Sequence, residues 1–263
     1  MNPLKRHEKI MEALLERQEV TVNDLSELLQ VTGKTVREDL DKLEAMGLLV
    51  RVHGGAMLAQ NDQYGILTSR GATEKHHSEK TEIAERALAY IRPNEIIALD
   101  GGSTTLEMAK RLDNQPLTVV TNDLFIIAEL TKKEQVRLVV PGGARVRNML
   151  VGDDTAAFIS GLNIHKAFIS TTAIHPEFGL SIYTGDLVPL KKAMISASQQ
   201  VFGVVDHYKF GQFALRTFAH CSELDCIISD SHLGEETAAL YNQIGVKVDY
   251  QSETHRSTSY LNR

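Results

Sequence analysis

Three short amphipathic segments follow one another in the first sixty residues and run into a Gly-Gly turn, a spacing that constrains the chain more than any other feature. Over residues 4–17, Ile10, Met11, Leu14 and Leu15 recur at helical intervals, which predicts a helix with one buried face. Val20 and Val22 lead into a second helix, where Leu25, Leu28 and Leu29 fall three and four residues apart and Val31 closes the turn. Thr32 is placed to cap a third helix, its hydroxyl accepting from an amide that the first turn leaves free. That helix buries Val36, Leu40 and Leu43 and stops at Gly47. Residues 48–52 and then His53-Gly54-Gly55-Ala56 read as a short hairpin, or wing.

The third helix has a second face, on which Lys34, Thr35, Arg37, Glu38 and Asp41 project away from the apolar stripe. Its long donors sit in the first two turns, where a recognition helix meets base edges in the major groove. Arg37 suits a guanine, because its planar fork reaches O6 and N7 together, while Lys34 and Thr35 suit phosphate oxygens. Arg51 and His53 on the wing are placed to touch the DNA backbone. Thr32, Lys34, Thr35, Arg37, Glu38, Arg51 and His53 are thus the candidate DNA contacts. A solvated helix beside an ordinary turn is the plainer alternative, but three correctly spaced elements in order favour the DNA-reading unit.

Charge argues against one copy binding alone. Residues 1–60 hold eight Lys/Arg against ten Asp/Glu, so the segment lacks the overall basic footprint common in DNA binders. Glu12, Glu16, Glu19, Asp24 and Glu27 lie mainly on the first two helices, which leaves Lys34, Arg37, Arg51 and His53 as a cationic ridge. Few phosphate contacts per copy imply a homo-oligomer, dimer or tetramer, on a repeated site of double-stranded DNA.

A chain of 263 residues holds about two domains. The hydrophobic content of 43% supports a sizeable core, and the formal charge of −6 points to neither membranes nor acidic substrates. No apolar run is long enough to span a bilayer, and no apolar signal core follows Lys5, Arg6 and Lys9, so a cytoplasmic protein without a membrane partner is expected. Cys221 and Cys226 are too few for a disulfide framework and, with His220, lack a fourth metal ligand. His76 and His77 read as solvent-facing, so neither a metal site nor a cofactor is expected. Composition divides the chain into a reading unit at 1–58, a polar linker at 59–78, a second domain at 79–252 and a polar tail at 253–263.

The second domain reads as α/β with a mostly parallel sheet. A helix is expected over residues 79–91, with Ile83, Ala84, Ala87 and Leu88 inward. Near-continuous apolar runs at 96–99, 117–121, 136–140, 167–170, 201–205 and 226–229 are the signature of strands buried on both faces. Helical patterns at 105–112, 124–131 and 187–199 separate several of them. Ligands in such sheets collect at the carboxyl ends of strands, and those ends are chemically consistent here. Asp100-Gly101-Gly102-Ser103-Thr104-Thr105 runs straight into a helix, bringing hydroxyls and free amides together as a phosphate cradle. Thr121 and Asn122 end the second strand, while Gly142, Gly143 and Arg145 follow the third and offer close backbone approach and a guanidinium. Asp206 and Lys209 follow a later strand, and Lys191 lies on the helix before it. Any one of these is more often an ordinary turn or cap, but recurrence after four strands favours a shared pocket.

These motifs together resemble the DeoR family of bacterial transcriptional regulators, from about residue 6 to 248. The N-terminal resemblance lies in Val31-Thr32, Thr35-Val36-Arg37-Glu38-Asp39-Leu40, Leu43-Glu44, Gly47 and Arg51-Val52-His53-Gly54-Gly55-Ala56. The second lies in residues 100–105, Thr121-Asn122, Gly142-Gly143, Val151-Gly152, Lys166-Ala167-Phe168, Gly179-Leu180 and Asp206-His207 with Lys209. The resemblance implies a small α+β winged helix-turn-helix domain joined to an α/β sensor similar to sugar-phosphate isomerases. It further implies a repressor of sugar-catabolism genes that is relieved by a phosphorylated sugar or related small anion. The chain departs from the family pattern at Glu38, where a second basic residue is common, at Leu187-Val188, at Tyr208 and at His165. The last three changes are expected near the effector pocket. The alternative is a sugar-phosphate isomerase-like enzyme, with Asp100, Asp206 and Lys209 as acid and base groups, although such an enzyme has no use for a DNA reader.

Overall fold

Burial of apolar stripes sorts the elements into three clusters, one in the N-terminal unit and one on each face of a large sheet. The computed structural model describes residues 3–17, 19–45, 49–58, 76–183 and 185–250. In the N-terminal unit, α1 (Pro3–Arg17), α2 (Val22–Leu29) and α3 (Gly33–Ala45) close around buried Ile10, Leu14, Leu25, Leu29, Val36 and Leu40. Strand β1 (Glu19–Thr21) lies between α1 and α2, and pairs antiparallel with β3 (Gly55–Leu58), which also pairs with β2 (Leu49–Val52). Val20 therefore belongs to a strand and not to the second helix. The cap of α2 is Thr21, whose hydroxyl accepts from Asp24 N at 3.1 Å. Leu28, expected inward, is exposed, because Leu25 and Leu29 one turn apart already define the core-facing line.

Thr32 caps α3 as expected, accepting from Thr35 N at 3.3 Å. Gly47 and Leu48 lie outside the described residues, as does the side chain of Leu15. The wing turn needs both of its glycines. Gly54 has φ +79°, and a Cβ on Gly55 would stand 2.1 Å from Val20 O, where β1 runs against the wing.

The second unit begins with α4 (His77–Leu88), which starts two residues before the expected helix and stops three earlier. The chain then runs β4 (Ile96–Leu99), α5 (Ser103–Arg111), β5 (Leu117–Val120), α6 (Leu124–Leu130) and β6 (Val136–Val139). A hairpin of β7 (Ala144–Val146) and β8 (Met149–Val151) leads to α7 (Thr155–Ser160) and β9 (Ile164–Ile169). Then come β10 (Ala173–His175), β11 (Gly179–Ile182), α8 (Val188–Ser196), β12 (Ser198–Val204) and β13 (Arg216–Ala219), followed by β14 (Cys226–Ile228), α9 (Glu235–Gln243) and β15 (Lys247–Asp249). Gln199, expected to be helical, is in β12, because the 187–199 pattern spans a helix end and the start of a strand.

Seven strands form one parallel sheet in the order β15-β14-β12-β9-β4-β5-β6. Alternation along β4 sends Ile97 and Leu99 to one face and Ala98 to the other. Helices α4 to α6 cover the first face through Ile83, Leu106 and Ile126, and α7 to α9 cover the second through Ile159, Met194 and Tyr241. The strands β10, β11 and β13 form a small antiparallel sheet beside the main one. It meets the N-terminal unit where Arg216 pairs with Glu8 and Tyr183 packs against the helical core. Among the described residues, no helix is long and apolar enough to cross a membrane.

Candidate DNA-reading surface and effector pocket

Helix α3 is held by a buried charge. Asp39 lies on its inner side and accepts from Arg6 Nε at 2.7 Å, Arg6 Nη2 at 3.0 Å and His7 Nε2 at 3.0 Å, which ties α1 to α3. Burial opposes the ionised carboxyl, but the bonds from Arg6 and His7 outweigh it and hold Asp39 below the usual carboxylate range. With the inner side occupied, Lys34, Arg37 and Glu38 are exposed on the outer side, and His53 is exposed at the wing tip. Thr32 and Thr35 share a hydroxyl contact at 3.1 Å where the helix begins.

Arg51 behaves differently from the expectation of a backbone contact. Its guanidinium pairs with Asp41, its Nε donates to Gly55 O at 3.2 Å, and its backbone N–H donates to Glu44 Oε1 at 2.8 Å. These bonds fasten the wing to α3. Arg51 thereby ties the wing to the recognition helix, on which Lys34, Arg37 and Lys42 are exposed.

At the carboxyl ends of the parallel strands, charged groups are buried together. Asp100 follows β4 and is fully buried; its Oδ2 accepts from Ser170 N and Ser170 Oγ, each at 3.0 Å, and from Lys191 Nζ. Lys191 also donates to Ser170 O at 2.8 Å, whereas the adjacent Lys192 is exposed on the other side of α8. Gly101 and Gly102 allow this closeness, since a Cβ on Gly102 would stand 2.7 Å from Ser170 Oγ. Ser103 and Thr104 open α5, but the Thr105 hydroxyl is already donated to Gly102 O at 2.9 Å and is part of the helix start.

Asn122 and the fully buried Thr121 stand at the end of β5, and Asp123 caps α6 through bonds from Phe125 N at 2.8 Å and Ile126 N at 3.1 Å. Asn148 from the β7–β8 hairpin donates to Asp123 Oδ2 at 2.5 Å. Burial, with a contribution from nearby Asp100, pushes the Asp123 carboxyl up to about 6 against the pull of these bonds. Among the described residues, Asp100 Oδ1, Asn122 Oδ1, Asn148 Oδ1 and Thr172 Oγ1 are buried without a hydrogen-bond partner. Buried polar atoms are normally paired, so these four are exceptions to the rule.

Two further lysines of the sensor are buried. Lys209, in a single helical turn after β12, is buried with its Nζ 3.2 Å from Asp206 Oδ2. Lys80 on α4 is fully buried, and its ammonium is drawn down to about 8 by burial and then by the nearby charge of Lys209, against the pull of Asp206 and Glu107. Glu107 on α5 is buried and pairs with Lys110 at 2.7 Å and with Arg111. The charge of Lys209 disfavours the charged form of Lys80, and Asp206 and Glu107 favour it.

Other expected members fall outside these clusters. Gly142, Gly143 and Arg145 are exposed at the β7–β8 hairpin, where Arg145 Nε donates to Arg147 O at 2.7 Å. Gly143 is needed there, as a Cβ on it would stand 2.6 Å from Val151 O. His165 lies at the opposite end of the sheet, accepting from Ile96 N at 2.9 Å, so that departure from the family pattern is remote from the pocket. Tyr208 is exposed and meets His76 with the rings tilted, their centroids 4.0 Å apart.

Residues 6–62 match the DeoR-like helix-turn-helix domain, and residues 75–231 match the DeoR C terminal sensor domain. The chain belongs to the DeoR family. IolR, an HTH-type transcriptional regulator of Bacillus subtilis (strain 168), is 30% identical over 250 residues, which is 92% of this chain and 98% of that protein. YgbI of Escherichia coli (strain K12), an uncharacterized HTH-type transcriptional regulator, is 34% identical over 245 residues, covering 90% of this chain and 94% of its own. GlcR of Bacillus subtilis (strain 168), an HTH-type transcriptional repressor, is 29% identical over 241 residues, covering 91% of this chain and 93% of its own. This DeoR chain is therefore a DNA-binding transcriptional regulator with a sensor domain. Asp123 follows Thr121 and Asn122 at the strand-to-helix junction that the sequence marks as polar, whereas Lys80, Glu107, Asn148 and Ser170 are buried charged and polar groups of the sensor that the sequence did not single out. Only Lys80 carried a usable signal, as a lysine directly before the Ile83/Ala84 stripe of an otherwise apolar helix face.

Proposed function

We propose that the chain represses sugar-catabolism genes and leaves its operator when a phosphorylated sugar enters the strand-end pocket. The observation that carries this reading is the burial of Lys80 and Lys209, whose charges act on one another, in the same domain as strand-end acceptor atoms that lack partners. The lysines, with the first-turn amides of Ser103 and Thr104, suit the phosphate. Asp100 Oδ1, Asn122 Oδ1 and Asn148 Oδ1 are acceptors, and acceptors call for the hydroxyl donors of a sugar. Asp100, Lys191, Asp206, Gly101, Gly102, Thr105 and Thr121 shape the pocket, while Gly142, Gly143 and Arg145 meet the part of the ligand that faces solvent.

Lys34, Thr35 and Arg37 read the operator in this account, with Thr32 starting the helix, Glu38 open to a cytosine amine, His53 on the DNA backbone and Arg51 holding the wing. Residues 1–58 form the reading head, 59–78 the connector and 79–252 the sensor, although His77 and Ser78 already belong to α4. Lys80 sits one turn into that helix, so an anion at Lys80 pulls directly on the end of the connector. A coupling of about 1 to 3 kcal/mol between the two sites changes operator affinity about 5- to 150-fold. The paucity of outward cations per head calls for a dimer or tetramer on a repeated operator.

The test is recovery of bound genomic fragments, followed by anisotropy titration of the recovered duplex against a panel of sugar phosphates, the matching free sugars and inorganic phosphate. One sugar phosphate is expected to weaken binding at least fivefold while its free sugar does not. Absence of salt-sensitive duplex binding removes the reading altogether, and release by free sugars removes the phosphate part.

A further inference from the structure

We propose that His207, Asp230 and His232 form a site for one divalent transition metal of the zinc class. One ligand atom from each lies within 4.8 Å of the others. Asp230 follows β14, is fully buried, and is held in place by backbone donors, His207 N to Oδ2 at 2.9 Å and His232 N to Oδ1 at 3.1 Å. Both imidazoles present Nδ1 to the same carboxylate oxygen, His207 at 2.7 Å and His232 at 3.4 Å. A tetrahedral ion with bonds near 2.1 Å keeps its ligand atoms about 3.4 Å apart. The His232 spacing already meets that figure, and the His207 spacing has to open by roughly 0.7 Å to reach it. His232 is exposed and supplies both the entry path and the freedom to adjust.

Two imidazoles and one carboxylate are borderline donors, suited to Zn²⁺, Co²⁺ or Ni²⁺, and three protein ligands leave a coordination position open to water. The backbone bonds to Asp230 are the outer-shell support that orients such a ligand. His207 opens the turn that ends on Lys209, so an ion here bridges the end of β12 to the end of β14 and stiffens that turn. The site is independent of the effector reading. It also departs from the expectation of no metal site, because His207 and Asp230, 23 residues apart, leave no spacing signal and meet only through the pairing of β12 with β14.

The test is competition of the chelator-treated full-length protein with a chromophoric chelator for Zn²⁺, together with the visible spectrum on adding Co²⁺. One Zn²⁺ per chain is expected, with affinity at least tenfold weaker in His207→Gln and His232→Gln and unchanged in His76→Gln. The Co²⁺ d–d bands are expected to disappear in His232→Gln, an exposed position where the substitution leaves the core alone. Equal Zn²⁺ affinity in wild type and His232→Gln, or no stoichiometric Zn²⁺ binding, overturns the proposal.

Discussion

Lys191 donates to Asp100 from 91 residues away, so the ammonium of α8 closes the end of β4. Its second bond, to Ser170 O at 2.8 Å, brings β9 into the same contact. Three separate segments of the sensor therefore depend on one buried cation.

Replacing that cation by Met strands the Asp100 carboxylate in the core. Removing one partner of a buried pair costs about 3 to 5 kcal/mol, and Lys191→Met is expected to lose that much in urea unfolding. Operator binding by folded protein is expected to survive while release by sugar phosphate is lost. An unchanged urea midpoint would show that the pair contributes little to folding.

Arg37 and Arg51 carry the same charge but different duties, and their alanine variants separate them. Arg37→Ala is expected to cost about 1 to 3 kcal/mol of operator binding and to relax one base position. Arg51→Ala, which frees the wing from Asp41 and Gly55 O, is expected to weaken all duplexes alike and to lower the thermal midpoint of the N-terminal unit. A base-specific loss in Arg51→Ala, seen by binding to single-substituted operators, would reverse these assignments.

Asp39 makes the N-terminal unit sensitive to acid. Its folded carboxyl is held below the usual range, so it contributes stability that is complete above the unfolded value and is lost as pH falls through the folded one. The reading head is therefore expected to begin losing stability as pH falls below about 4, the ordinary carboxyl range. Asp39→Asn should be less stable than wild type at pH 7 and the difference should shrink toward pH 3, as followed by circular dichroism. A stability difference that grows on acidification would contradict the Arg6 and His7 pairing.

The reading head was legible because helical periodicity and a threonine cap are local signals, and Thr32, Val36, Leu40 and the Gly54-Gly55 turn stand where periodicity places them. The order of charged groups in the sensor was not legible in the same way. Asp100 and Lys191 were each visible at a strand end or helix, but their pairing depends on the sheet order that sets β4 beside β9. The pairing of Arg51 with Asp41 was not legible, because a cation on a wing looks the same in sequence whether or not an aspartate of the neighbouring helix stands beside it. The three residues of β15 and the β7–β8 hairpin are too short to show a period, and Leu28 shows how a third leucine on a helix can miss the core.

Lys80 offers a reading of the pocket through protons. Its ammonium sits at about 8, below the ordinary 10.5, since burial and Lys209 disfavour the charge. The folded protein therefore binds fewer protons than the unfolded chain between those values, and this group makes stability rise with pH across that window. A phosphate beside Lys80 favours its charged form and raises its value, so effector binding takes up protons around pH 8.5. Affinity is expected to hold steady up to about pH 7 and to fall as pH passes 8. Lys80→Met should lose about 1.5 to 3 kcal/mol of effector binding, the worth of a charged hydrogen bond, and its affinity should no longer fall above pH 8. Calorimetry in two buffers of different ionisation heat reads the uptake directly. Uptake that persists in Lys80→Met would place the titrating group elsewhere and remove Lys80 from the pocket.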